Sequence, residues 1–172
     1  HLYDKPGIES DCPFKTKEDV LSELGNIIGK NSKKLILFAS HHPFKSNGIH
    51  GGYYTLKQHL FPLTDVSPKL YIPMPLIGSV YPITRGIFGT AQDLKHPSYQ
   101  NMVHDLEKVI KGHPNVIFAA GHEHNLQLIQ DSGYNYIISG SGTNKTRVSK
   151  SKKELFGAEE NGFATIEVLK NK

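Results

Sequence analysis

At 172 residues, 37% hydrophobic and 21% charged, the chain has the size and composition of one folded domain with its own core, not of a disordered segment. No run of about eighteen apolar residues occurs, so no segment reads as a membrane-spanning helix. The single cysteine, Cys12, excludes an internal disulfide and a Cys-x-x-Cys metal cluster. Much of the net charge of +4 sits in 145–153 (KTRVSKSKK), which reads as a solvated loop. No aromatic-interleaved platform accompanies that basic run, so nucleic acid is not an expected partner.

Residues 1–15 are polar and carry Pro and Gly without a period, an irregular lead-in. The opening HLYDKPG, with neither Met nor a leader, reads as a start inside a longer polypeptide. Thr16 then opens a helix, with Asp19 at capping-box spacing and Val20, Leu21, Leu24, Ile27 and Ile28 on one face. Gly29 is the expected stop. Leu35–Ala39 is a short continuous apolar run, a buried strand that ends at Ser40-His41-His42-Pro43. A short helix is expected within 51–60. Residues 66–97 are apolar but broken by Pro73, Pro75, Gly78, Pro82 and Gly86, and read as a long loop insertion, a lid or a partner surface.

Ser98 is the expected cap of a second helix, with Met102, Val103, Leu106, Val109 and Ile110 as its stripe and Gly112 as its stop. Val116–Ala120 is a second buried strand and runs straight into Gly121-His122-Glu123-His124-Asn125. Leu126–Gln130 and Tyr134–Ile138 form a hairpin around Asp131-Ser132-Gly133, and 163–169 reads as a last strand. This order gives a mixed α/β layer arrangement in a single domain, 1–172.

The chemistry lies where the two strands end. Ligands gather at strand ends in open α/β sheets, and neutral imidazole is a common ligand of zinc, iron and related ions. In an extended segment, residues two apart face the same side, so His122 and His124 are candidates to share one site. Across a tight turn they are instead candidates to bracket two metals about 3.5–4 Å apart, a separation suited to phosphoryl displacement.

SHHP at 40–43 and GHEHN at 121–125 resemble the last two signature blocks of calcineurin-like metallophosphoesterases, closest to acid phosphatases of the purple, tartrate-resistant kind. GHEHNLQLIQDSGYNYIISGSG (121–142) and NGFATIEV (161–168) extend the likeness. The resemblance implies an α/β fold, the carboxyl-terminal half of a β-sandwich flanked by helices, four-layered in the intact enzyme. It implies metal-dependent hydrolysis of a phosphorylated substrate. The ions would be zinc, iron or manganese, in a dinuclear site. It places His41 and His122 on one metal and His124 on the other. It gives His50, nine residues after His41, contact with phosphate and protonation of the leaving group. Glu123 and Asn125 would support the ligands, and His42 stands where the family has Tyr and is not implied as a ligand. The family likeness also points to an extracytoplasmic compartment, periplasmic or secreted; it does not decide membrane contact.

Three earlier blocks of that family are not in this chain: Asp-x-His, Gly-Asp and Gly-Asn-His. None of Asp4, Asp11, Asp19, Asp65, Asp93, Asp105 and Asp131 has His two residues on or Gly before it. The bridging carboxylate and the Asn ligand are therefore expected from the amino-terminal half of the same enzyme, and the isolated chain is expected to be inactive. The alternative is a non-catalytic binding or assembly module with 66–97 as its contact surface.

Overall fold

The computed structural model describes residues 11, 13–67 and 69–169; Cys12 and most of the 1–15 lead-in lie outside them. Helix α1 is Lys17–Lys30. The Asp19 N–H donates to the Thr16 hydroxyl at 3.1 Å and the Thr16 N–H to the Asp19 carboxylate at 2.9 Å, a capping box with Asp as the reciprocal acceptor. The helix runs through Gly29. Its end is set by Asn31, whose side-chain amide donates to the Ile27 carbonyl at 2.8 Å. Strand β1 is Ile36–Ser40.

Helix α2 is shorter than expected, Leu56–Leu60, because Thr55 and Gln58 form a second capping box that fixes its start. The 66–97 region is not one loop: it contains a helix, α3, Val80–Phe88. Pro82 is accommodated because it stands in the first turn, where backbone N–H groups have no intrahelical acceptor. Helix α4, Pro97–Ile110, begins with Pro at its first position and His96, not Ser98, as its cap residue.

Strands β2 (Val116–Ala120), β3 (Leu126–Asp131), β4 (Tyr134–Ser139) and β5 (Glu154–Ala158) complete a sheet of order β1-β2-β4-β3-β5. β1 and β4 flank β2 in parallel; β3 is antiparallel to both β4 and β5. The expected hairpin is present, with Ser132 and Gly133 both at positive φ (53° and 85°), the backbone that a two-residue hairpin turn requires. The last strand is not where the sequence pattern put it. β5 precedes 163–169, which has no ladder partner among the described residues and leaves Phe163 and Val168 exposed.

One face of the sheet carries Ile36, Phe38, Val116, Phe118, Ile129 and Tyr136. Ile28 of α1 and Val103 and Ile110 of α4 join these in the core. The Phe118 and Tyr136 rings stack at 4.7 Å, in line with their register pairing. The other face alternates with this one and carries Leu37 and Phe156, each 53% exposed. The architecture is thus a mixed five-stranded sheet with helices on one face and an open apolar surface on the other.

Candidate metal centre

Because β1 and β2 are parallel neighbours, with Ser40 paired to Ala120, the residues following each strand emerge side by side. The Gly121 N–H donates to the His41 carbonyl at 3.2 Å and ties the two exits together. The imidazoles gather there. The His122 ring centroid lies 5.1 Å from His41, 4.3 Å from His42 and 4.1 Å from His50. One ligand atom from each of His41, His42 and His122 lies within 4.8 Å of the others.

His122 is held in an uncommon backbone conformation, φ 64°. The Glu123 N–H donates to the Gly121 carbonyl at 2.7 Å across it, a γ-turn that β-carbon-bearing residues rarely adopt. Such strain persists only where the surroundings over-determine it. Of the two arrangements open to 122 and 124, extended or turned, the backbone takes the turned one. Glu123 turns inward and is buried, and His124 is exposed. His41 and His122 thus meet, as the resemblance implies for one metal; His42, which it does not imply, joins them, and His124, which it gives to the other metal, stands apart from this cluster.

The ring of His122 has a defined hydrogen-bonding pattern. Its Nε2 lies 2.9 Å from the Gln92 carbonyl oxygen and its Nδ1 3.3 Å from His41 Nε2. A carbonyl only accepts, so Nε2 carries the proton and Nδ1 is left with a lone pair directed at the other imidazoles. Desolvation, together with the neighbouring His50, His42 and His41, outweighs the Gln92 hydrogen bond and lowers the pKa of His122 to about 4. Burial, with His41 and His50, lowers that of His42 too. Both rings are neutral at pH 7, the ligand form. Metal-binding imidazoles commonly donate their second N–H to a backbone carbonyl. By donor chemistry the three rings fit one ion; the described residues bring no carboxylate into the same cluster.

His50 is held at three points. Its N–H donates to Glu123 Oε1 at 2.9 Å, its carbonyl accepts from the Leu94 N–H at 2.8 Å, and its Nδ1 lies 2.7 Å from Asp93 Oδ1. Glu123 also accepts from the Ser46 hydroxyl at 2.6 Å, while its Oε2 has no partner among the described residues. A β-carbon at Gly48 would sit 2.4 Å from that oxygen, so the 46–51 loop closes on the carboxylate only because residue 48 is Gly. Asn125 is fully buried and supports the loops one layer below. Its Oδ1 accepts from Gln127 at 2.7 Å, and its amide donates to the Arg147 carbonyl at 3.3 Å.

Gln92, Asp93 and His42 were not singled out from the sequence as site residues. Asp93 is separated from His50 by 43 residues, and no periodicity links them.

No known family profile matches the chain, and no curated protein matches it. Among solved structures, the fold is similar to one from Plasmodium described as "GAP50 the anchor in the inner membrane complex of Plasmodium", with a TM-score of 0.52 at 18% identity. The likeness covers 90% of this chain and 36% of that one, so this chain spans about a third of the neighbour's length. At that identity the likeness establishes a shared mixed α/β fold and no more.

Proposed function

We propose that the chain carries the imidazole half of a metal-dependent phosphoester hydrolase of acid-phosphatase type. The observation that carries this reading is the convergence of His41, His42 and His122 from two adjacent strand ends, with the distal N–H of His122 held by a backbone carbonyl. Zinc or iron is the class of ion these imidazole donors suit, and manganese would need the oxygen ligands of the other half. When bound, such an ion supplies polarisation of a phosphoryl oxygen and acidification of a water. His50 stands beside the cluster as the proton donor to the leaving-group oxygen, a role within the reach of imidazole near neutral pH. The missing carboxylates would come from the amino-terminal half of the same enzyme. The bare apolar face with Leu37 and Phe156 supports the existence of a second layer to cover it, as in a four-layer sandwich.

The test is bound metal per chain by elemental analysis, with hydrolysis of an aryl phosphate, for the chain and for His122→Ala. The reading predicts a single ion held by the native chain and lost in the variant, with hydrolysis restored only when the carboxylate half is supplied. Metal content unaffected by His122→Ala would sink it.

A second reading rests on 70–88. Leu76 is 88% exposed and Phe88 70%, with Ile77, Val80 and Ile87 also exposed. An apolar patch of this kind marks an interface more often than chance, and the structural neighbour is described as an anchor. In that reading the chain is an assembly module. Replacing Leu76, Ile77 and Phe88 with polar residues would then abolish partner binding and leave metal uptake intact.

A further inference from the structure

We propose that the segment following α3 is a working part of the histidine site, and that Asp93 is the positioning residue for His50. The proposal rests on the reading of His50 as proton donor and adds what orients it. Asp93 is 1% exposed. A buried carboxylate persists only when hydrogen-bonded and paired, and each of its oxygens is occupied. Oδ2 accepts from Arg85 Nε at 3.0 Å, the Thr90 N–H at 2.7 Å and the Thr90 hydroxyl at 2.9 Å. Oδ1 accepts from the Arg85 guanidinium at 2.9 Å and meets His50 Nδ1 at 2.7 Å.

This donor set dictates how His50 is protonated. Asp93 is an acceptor locked in place by Arg85 and Thr90, so the proton between the carboxylate and the ring sits on His50 Nδ1. Nε2 is then the nitrogen left to face substrate. In proton donation, the imidazolium gives the Nε2 proton to the leaving-group oxygen as the P–O bond breaks. It becomes the neutral ring with Nδ1–H still held by Asp93, so no second proton has to move. Gln92, one residue earlier, fixes the ring of His122 through its carbonyl. One short strap thus sets the tautomer of two imidazoles in the site, while the Leu94 N–H pins the His50 backbone. The insertion supplies orientation as well as cover.

The substitution Asp93→Asn separates this role from a structural one. Three hydrogen bonds converge on Oδ2 and only Arg85 and His50 meet Oδ1, so the amide oxygen takes the Oδ2 position and the amide NH2 takes the place of Oδ1, facing His50 at the loss of the Arg85 hydrogen bond there. It then donates to Nδ1 and drives the proton to Nε2, as expected when an amide replaces an orienting carboxylate.

The experiment is nitrogen NMR of ring-labelled histidine in the native chain and in Asp93→Asn, at a pH where imidazole is neutral, with circular dichroism as the folding control. The expected result is the Nδ1–H form of His50 in the native chain and an exchange of the two ring shifts in the variant. A native His50 in the Nε2–H form overturns the proposal whether or not the variant folds, and so does a folded variant with an unchanged tautomer. The expected tautomers in a chain that takes up no metal would overturn the hydrolase reading and leave the positioning role standing.

Discussion

Replacing Glu123 by Ala and by Gln tests how the 46–51 loop is held over the site. Glu123 is 1% exposed, and its Oε1 is the acceptor for two donors, the buried Ser46 hydroxyl and the half-buried His50 N–H. Alanine leaves both unsatisfied. At about 1–3 kcal/mol for a buried donor without a partner, and less for the half-buried one, the loss is about 2–4 kcal/mol. That is a large share of the 5–15 kcal/mol or so typical of a domain. Glutamine keeps an acceptor at Oε1 and places an amide where Oε2 has no partner. Burial is the largest influence on the Glu123 carboxyl and pushes its pKa upward, against the hydrogen bonds from Ser46 and His50. A neutral side chain of the same shape is therefore tolerated, and Glu123→Gln is expected to fall within about 1 kcal/mol of the native protein. Urea unfolding, read as a change in midpoint at constant slope, measures both. Equal losses for Ala and Gln, or no loss for Ala, would refute the claim that the Oε1 acceptor holds the loop.

Gly48→Ala should destabilise by about 1–3 kcal/mol through overpacking alone. Its φ is an ordinary −92° while its new methyl would meet three atoms of the Glu123 carboxyl group at 2.4–2.5 Å. The pairing Gly48→Ala with Glu123→Ala should recover part of that loss in the same unfolding assay. Acid should weaken the fold through His122. Its folded pKa of about 4 lies below the ordinary 6.5, so between those values the unfolded chain binds a proton that the folded chain does not. Stability falls as pH drops from about 6.5 to about 4. Unfolding at pH 7 and pH 5 should show a smaller acid-induced loss in His122→Gln than in the native chain, and an equal loss would contradict the assignment.

Much of the scaffold was legible because its signals are local. The Thr16–Asp19 pair, the runs that became β1 and β2, and the Ser132-Gly133 turn each announce an element within a few residues. The convergence of His41 and His122 followed from two strands ending in histidine, since parallel neighbours deliver their carboxyl ends to one edge. The presence of His42 beside His41 and His122 was not legible. Alternation assumes extended backbone, whereas His122 has a positive φ and Glu123 turns in under the 46–51 loop. Asp93 was hidden because its meaning depends on contacts with His50 and Arg85 made in three dimensions. Proline obscured α3, because the tolerance of Pro82 depends on where the helix begins. The apolar alternation of 163–169 suggested a strand, but a strand needs a ladder, and the described residues leave that segment without one.

The most direct test of the metal centre is zinc titration followed by calorimetry on the native chain and on His42→Ala, His122→Ala and His124→Ala. The geometry predicts that the first two variants lose zinc binding and that His124→Ala keeps it. Loss with His124→Ala and retention with His42→Ala would contradict the three-imidazole centre and restore the ligand set implied by the family resemblance.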